Sequence, residues 1–167
     1  FIKNLSFEVE ELNLGDDFNE AANSHEIIMN GSIAKSLSQY YKTEKEKLHP
    51  FTISRIEAGF PVSAKQYIES IENAKKMQQT LNKIFNKFDA IITPAAPGQA
   101  PRDLMNTGNA IFNGYWTMMG VPAISLPLLK GKDSLPIGVQ IITSWNEDFK
   151  LLKIAEYILQ ETKKLAD

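Results

Sequence analysis

Three prolines punctuate a stretch that otherwise predicts two buried β-strands. The stretch Gly120 to Ile142 reads GVPAISLPLLKGKDSLPIGVQII, and its runs AISL and IGVQII have the apolar, β-branched character of short buried strands. Proline has no amide hydrogen, so Pro122, Pro127 and Pro136 restrict where each strand can begin, bend or end. The loop between the runs is short enough to give an antiparallel pair, although a return path to parallel pairing stays open.

Helices are predicted ahead of these strands. Asp17 and Glu20 stand at capping-box spacing, so we expect a helix from there to Tyr41, with a bend near Gly31. The apolar positions of this segment roughly follow the helical period of 3.6 residues per turn. The first part of the chain is therefore predicted to be helical.

Two more helices are predicted in the middle of the chain. Pro50 and Pro61 bracket a short helix, with Gly59 as its C-terminal stop. Ser63 and Gln66 form a second capping box, and a long amphipathic helix should begin there. The long helix is the clearest element that the pattern predicts.

The remaining elements alternate between strands and helices. Ala90 to Thr93, ended by Pro94, reads as a buried strand, and a loop rich in proline, glycine and alanine follows it. Helical pieces should end at Gly120, and NEDFKLLKIAEYILQETKK predicts a closing helix with Leu151, Leu152, Ala155, Ile158 and Leu159 on one face. We therefore expect an α/β fold, with helices packed on a mixed β-sheet, as a single domain over residues 1–167.

Composition excludes several classes of protein. The net charge is -2, with 18 basic and 20 acidic residues dispersed along the chain, so we expect no nucleic-acid partner. The chain has no cysteine, which excludes disulfides and thiolate sites and fits a cytoplasmic location. No apolar run suits a membrane span. The chain opens at Phe1 without an initiator methionine or a leader, and we expect it to be a piece of a longer protein.

Few side chains suggest local chemistry. Ser32 and Lys35 have the S-x-x-K spacing of a lysine-activated serine, against the alternative of a solvated helix face. His25 and His49 lack the spacing of a metal pair, so we predict no metal site and read them as surface or half-buried residues. Arg55 could bind a carboxylate, but a surface ion pair is the favoured reading. Gly-rich phosphate loops are missing from the sequence, and no nucleotide or other cofactor is expected.

Aromatic residues cluster before the strand pair. Phe112, Tyr115 and Trp116 lie between the proline-rich loop and Gly120. They are our candidate substrate-binding residues, and core packing is the alternative.

Three stretches of the chain together resemble the C-terminal part of the amidase signature family. They are FDAIITPAAPGQAP, FNGYWTMMGVPAISLP and LPIGVQIITSWNEDFKLLKIAEYI, and RIEAGFPVSAKQYIES with the helix after it is also similar. The resemblance covers nearly the whole chain. It implies hydrolysis of a small carboxamide by a serine, assisted by a second serine and a lysine, without cofactor or metal.

The same resemblance implies what this sequence lacks. The family's glycine- and serine-rich signature and its catalytic lysine precede the matched region, so we infer no catalytic residue within this chain. In the tRNA amidotransferase branch, a carboxylate-anchoring arginine would fall near MNGSIAK and an amide-recognising aspartate near Ala110, and both are missing here. The resemblance therefore favours general small-amide amidases over that branch.

Two further hypotheses stand beside the leading one. The leading hypothesis is the C-terminal region of an amidase, inactive alone, whose partner is the missing N-terminal portion and whose exposed face promotes self-association. The second is a stand-alone binding or assembly module with an amidase-like sheet. The third is a small hydrolase built on Ser32 and Lys35.

Overall fold

A computed structural model of the protein describes residues 6–103 and 105–164. Within the stretch predicted as one domain, these residues fall into two compact units. Residues 15–78 form the helical unit, while the segment before Gly15 and the chain from Gln79 onward form the sheet unit. The single domain over residues 1–167 stays a prediction.

The helical unit is built around the crossing of two helices, α1 (Ala21–Thr43) and α2 (Pro50–Gly59). A β-carbon added to Gly59 would lie 2.1 Å from the carbonyl oxygen of Asn30, so only glycine allows this approach. Ile56 of α2 is fully buried. Gly59 is also the last residue of α2, which confirms the predicted stop.

The start of α1 differs from the prediction. Asp16–Phe18 form a short 3-10 turn, and α1 begins at Ala21 with no side-chain capping bond from Glu20. The capping-box spacing was therefore misleading, because a local turn takes up the residues that would have formed the first helical turn. α1 also continues through Gly31, where a β-carbon would lie 3.1 Å from the ring of Tyr67. This glycine makes room for a neighbouring side chain.

The long helix α3 (Ala64–Phe85) begins as predicted. The Ser63 hydroxyl accepts a hydrogen bond from the Gln66 amide at 3.2 Å, and the Ser63 amide donates to the Gln66 side-chain oxygen at 3.0 Å. Each side chain thus satisfies a backbone amide that the helix leaves unpaired, which confirms the second capping box.

Three strands form the described sheet: β1 (Ile91–Pro94), β2 (Ala123–Lys130) and β3 (Pro136–Ile142). Their order is β1-β3-β2, and both pairings are antiparallel. The α/β class and the antiparallel pairing of the last two strands are confirmed. The parallel partner of a mixed sheet is not among the strands that residues 6–103 and 105–164 form.

The prolines lie where the ladder needs no amide donor. Pro136 opens β3, and Pro122 directly precedes β2. Pro127 falls in a bulge, because the regular register of β2 with β3 is interrupted between Leu126 and Leu129. β2 therefore continues past the proline and is longer than the predicted AISL run.

Two helices complete the sheet unit. The short helix α4 (Gly114–Met119) ends at Gly120 in the left-handed conformation, with φ of 69°. The closing helix α5 (Asp148–Lys164) packs on β2 and β3. The shared core is formed by Leu126, Ile141, Leu151, Ala155 and Ile158.

Two of the five residues predicted for the apolar face of α5 do not lie in the buried core. Leu152 is 58% exposed and Leu159 37% exposed, so these two leucines lie beside the buried row and outside it. No helix among the described residues has both the length and the apolar character needed to cross a membrane.

Candidate functional site

Two loops and a hairpin line an open cavity of about 600 Å³ in the sheet unit. The first loop follows β1, the second precedes α4, and the hairpin joins β2 to β3. The cavity is lined by residues 95–101 and 107–110 with Asn113, Ser125, Pro136 and Gly138. This volume is in the range of small-molecule sites.

The first loop is fastened to the hairpin by a contact between Gln99 and Asp133. The Asp133 amide donates to the Gln99 side-chain oxygen at 3.1 Å, and the Gln99 side-chain nitrogen donates to the Asp133 carboxylate. Arg102 forms an ion pair with the other carboxylate oxygen at 3.0 Å. We call these three residues the clasp. The clasp holds the first loop against the turn of the hairpin, although Gln99 and Asp133 are far apart in the sequence.

The second loop is shaped by three short polar side chains. Asp103, Asn106 and Asn109 each accept, at 2.9 Å, a hydrogen bond from the backbone amide of the residue two positions later. Such turns fix the backbone locally and use the side-chain oxygen of each residue. Asn109 lines the cavity, but its oxygen already serves the loop.

Small residues keep the cavity open where β2 meets β3. A β-carbon on Gly138 would lie 2.4 Å from the hydroxyl oxygen of Ser125 and 2.9 Å from the β-carbon of Ala95. These distances are too short for non-bonded atoms, so any larger residue at this position would displace the Ser125 side chain. Gly138 therefore preserves the shape of this wall.

The cavity wall carries polar groups but no formal charge. Its lining contains no aspartate, glutamate, lysine, arginine or histidine. Ser125 has no basic side chain hydrogen-bonded to it among the described residues, so nothing there activates its hydroxyl as a nucleophile. The arrangement can bind and orient a ligand, and it supplies no acid–base catalyst.

The predicted aromatic residues lie beside this cavity in the sequence but outside its lining. Phe112 and Tyr115 are half-buried, and Trp116 is 4% exposed. Asn113, between Phe112 and Tyr115, does line the cavity. Among the described side chains, the indole nitrogen of Trp116 is buried without a hydrogen-bond partner. Substrate binding by the three aromatic residues stays a prediction.

The other candidate residues, Ser32, Lys35 and Arg55, lie in the helical unit. The Ser32 hydroxyl lies 3.1 Å from the Tyr67 hydroxyl, whereas Lys35 is exposed. Arg55 forms an ion pair with Glu26 at 3.3 Å, which is the favoured reading of that residue. No described hydrogen bond joins Ser32 to Lys35.

The histidines of the helical unit also have structural surroundings. The ring nitrogen of His49 accepts a hydrogen bond from the Phe51 amide at 3.2 Å and so caps α2. His25 is half-buried, and its burial lowers its pKa. Among the described residues, no group of three or more potential metal-ligating side chains is clustered.

A second, wider groove lies elsewhere in the sheet unit. Its volume is about 960 Å³, and it runs between the segment around residues 7–14, β1 and α5. An ion pair of 2.8 Å joins Lys150 to Asp89 among its lining residues. Its remaining lining combines apolar residues with the charged residues Glu8, Glu10, Glu11 and Lys87. The ring of Phe7 is centred 6.2 Å from that of Tyr157.

Sequence comparison identifies the family. Residues 7–152 match the Amidase family, which is most of the chain. The chain belongs to the amidase family.

Relatives of this amidase chain include amidotransferase subunits. A glutamyl-tRNA(Gln) amidotransferase subunit from Clostridium botulinum (strain Eklund 17B / Type B) is 31% identical over 144 residues, 79% of this chain and 30% of the relative. The corresponding subunit from Alkaliphilus metalliredigens (strain QYMF) is 33% identical over 102 residues, 57% of this chain and 21% of the relative. The branch that the sequence disfavoured is thus represented among the relatives. This amidase chain spans about 30% of the length of the first of them.

Solved structures of the amidase fold resemble the chain over nearly all its length. A crystal structure of an amidase gives a TM-score of 0.79 at 21% identity, covering 92% of this chain and 37% of that protein. A 6-aminohexanoate cyclic dimer hydrolase gives 0.72 at 19% identity, covering 93% and 38%. The fold is therefore that of the amidases, as the sequence predicted.

The sequence did not identify the residues that line the cavity of this amidase chain. No sequence pattern predicted that Asn113, Ser125 or Gly138 would line a cavity. A local signal did exist in Asp103, Asn106 and Asn109, whose regular spacing after a proline-rich loop is typical of consecutive side-chain turns.

Proposed function

We propose that this chain is the C-terminal portion of an amidase that hydrolyses a carboxamide C–N bond to a carboxylate and ammonia. The observation that carries the proposal is that residues 7–152 match the family while the chain spans about 30% of an aligned relative. A preceding portion would supply the serine nucleophile, the second serine and the lysine. In this proposal the chain completes the sheet, forms part of the substrate pocket and is inactive alone.

The cavity supports a role in holding a small carboxamide. Its volume of about 600 Å³ and its uncharged lining suit a small neutral molecule. Phe112, Tyr115 and Trp116 are proposed to lie on the substrate side of the assembled enzyme, and the support is that Asn113, within the same short stretch, lines the cavity. We propose that this reaction uses neither a metal ion nor a cofactor.

The surface supports a missing partner portion and self-association in its absence. Phe149 is 74% exposed and Leu152 58% exposed on α5, and apolar side chains in such positions favour association. We propose a cytoplasmic protein without nucleic-acid or membrane partners, and the cysteine-free, nearly neutral composition supports this.

An antibody raised against the chain allows a direct test. Native protein is immunoprecipitated from the source cells, its peptides are identified by mass spectrometry, and ammonia release from a panel of carboxamides is compared with that of the purified chain. We expect peptides that precede Phe1, or a second polypeptide, to carry a lysine and a glycine- and serine-rich stretch. The native material should release ammonia, and the isolated chain should not.

Two outcomes would contradict the proposal. Native protein that consists of residues 1–167 alone and releases no ammonia would indicate the stand-alone binding or assembly module. A fluorophosphonate adduct on Ser32 of the isolated chain would instead indicate the small hydrolase with Lys35. In the proposed enzyme, the fluorophosphonate labels the preceding portion and leaves this chain unmodified.

A further inference from the structure

The outer face of α5 carries a row of large apolar side chains. Phe149, Leu152 and Leu159 are all exposed, although they belong to a helix that also supplies buried residues to the core of the sheet unit. At about 3.6 residues per turn, the three residues lie on one side of α5, away from its buried row. Exposed apolar side chains that are aligned in this way are typical of an interaction surface.

The same face carries one acidic and one basic residue without ionic partners in the chain. Glu156 is exposed, and it forms no ion pair or hydrogen bond with any described residue. Lys153 is also exposed, and its Nζ lies 5.4 Å from the centre of the Phe149 ring, with no described carboxylate paired to it. The outer face therefore offers a charge of each sign beside its apolar row.

This pattern is complementary to a reversed copy of itself. In an antiparallel pair of helices, a two-fold axis midway between Lys153 and Glu156 places each of these residues opposite the other in the second copy. The midpoint between Phe149 and Leu159 lies about 0.8 Å from that axis along the helix, at about 1.5 Å per residue. The same axis therefore brings Phe149 of each copy beside Leu159 of the other.

A parallel pair of helices would lack this complementarity. Related by a two-fold axis along the pair, each residue would face its own equivalent, so Lys153 would meet Lys153 and Glu156 would meet Glu156. Like charges at such positions repel each other. The distribution of charge on the outer face thus favours the antiparallel arrangement.

We propose that α5 pairs with α5 of a second copy of this chain in an antiparallel, two-fold symmetric dimer. Phe149, Leu152 and Leu159 form its apolar centre, while Lys153 and Glu156 form two reciprocal ion pairs. The inference rests on the self-association put forward with the proposed function, and it specifies the surface and the geometry. One helix packed on another is a small interface, so we expect a dissociation constant of about 10–100 µM.

Charge reversal in the purified chain tests the pairing, with sedimentation equilibrium as the measurement. Lys153→Glu and Glu156→Lys each replace two attractions per dimer with two repulsions, so each should raise the dissociation constant about tenfold. The double variant should recover most of the affinity, because the reciprocal pairs form again with their signs exchanged. Lys83→Glu is the matched control, since Lys83 is exposed on α3 and the charge change is the same.

Single cysteines report the orientation of the helices, because the chain has no cysteine of its own. In the proposed dimer the two copies of residue 156 lie close to the axis, whereas those of Lys163 are about 25 Å apart along the helix. A short bismaleimide should therefore cross-link Glu156→Cys into a dimer and leave Lys163→Cys monomeric. Far-UV circular dichroism checks that each variant is folded.

Several results would overturn the inference. A chain that sediments as a monomer at every soluble concentration would leave the outer face to the preceding portion of the parent. Association that neither charge reversal weakens would use another surface, and cross-linking through Lys163→Cys would indicate parallel helices. Dimerisation without ammonia release by the native protein would keep the interface and reject the amidase function. Ammonia release with a monomeric chain would do the reverse.

Discussion

The indole N–H of Trp145 donates a hydrogen bond of 2.7 Å to the backbone carbonyl of Met119, at the end of α4. Its ring also meets that of Phe85 edge to face, with centroids 6.5 Å apart. Trp116 lies in the same unit and is more deeply buried, yet its own indole N–H has no acceptor among the described residues. The two tryptophans thus form a natural pair for comparison.

Trp145→Phe should destabilise the chain more than Trp116→Phe does. The first variant loses a hydrogen bond worth about 1 kcal/mol, whereas the second removes a buried donor whose desolvation was never compensated. Urea unfolding, followed by far-UV circular dichroism, measures both changes in the free energy of unfolding. A larger loss for Trp116→Phe would mean that packing volume outweighs the hydrogen bond at these sites.

Gly59→Ala should destabilise the helical unit by about 1–3 kcal/mol or more. The added methyl group would meet the Asn30 carbonyl oxygen at 2.1 Å, and backbone atoms cannot move aside as a flexible side chain can. An unobstructed change from glycine to alanine in a helix would usually increase stability, so the sign of the effect is informative. Urea midpoints give the measurement.

Gly98→Ala is the control for this substitution. A β-carbon added there would have no atom within 4 Å, so the free energy of unfolding should change by less than about 1 kcal/mol. If Gly59→Ala were as stable as Gly98→Ala, the close crossing of α1 and α2 would be disproved.

His25 should make the helical unit less stable in mild acid. Burial lowers its pKa, with Glu26 opposing and Arg55 reinforcing that effect. The unfolded chain therefore takes up the proton first, and stability should fall as the pH drops below about 6.5. Unfolding curves between about pH 7.5 and about pH 5.5 measure this slope, and His25→Gln should reduce it.

Glu57 affects stability at a lower pH than His25 does, so the two contributions can be measured separately. Its pKa is lowered, first by the hydrogen bond from Tyr41 and then by Lys45, so its contribution is lost as the pH falls below about 4.3. A slope near pH 6 that remains unchanged in His25→Gln would rule out His25 as its source.

Asp133→Ala should loosen the first cavity loop without unfolding the chain. The variant removes the carboxylate that binds both Gln99 and Arg102, while Arg102 is 80% exposed and its ion pair adds little to global stability. Backbone NMR order parameters of the non-proline residues from 95 to 101 should fall, with less than about 1 kcal/mol lost overall. Glu69→Ala breaks the exposed pair with Lys65 on α3 and should leave this loop unchanged.

The sequence predicted the elements whose signals are local. The Ser63 and Gln66 capping box lies within one helical turn, and the prolines of the strand pair act on their own residues, so both could be interpreted directly. Asp17 and Glu20 failed for a related reason. A local turn at Asp16–Phe18 competes for the same residues, and the spacing alone does not distinguish the two outcomes.

The cavity depends on contacts between residues that are far apart in the sequence, and no local sequence pattern predicts such contacts. The clasp joins Gln99 to Asp133 across a sequence separation of 34 residues, and it brings the first loop to the hairpin. Gly138 is required because Ser125 of the neighbouring strand lies against it. The aromatic residues were predicted as binding residues because they are large and clustered. Asn113 was found only from its position in the cavity lining.

Pro127 has a further consequence for the outer side of β2. In the described sheet β2 is an edge strand, and an uninterrupted edge offers its free amides and carbonyls as a template for strands of other molecules. The bulge and the missing amide at Pro127 interrupt that row of groups midway along the strand. The residue that shapes the hairpin thereby also shortens the stretch of this edge along which a strand of another molecule could pair.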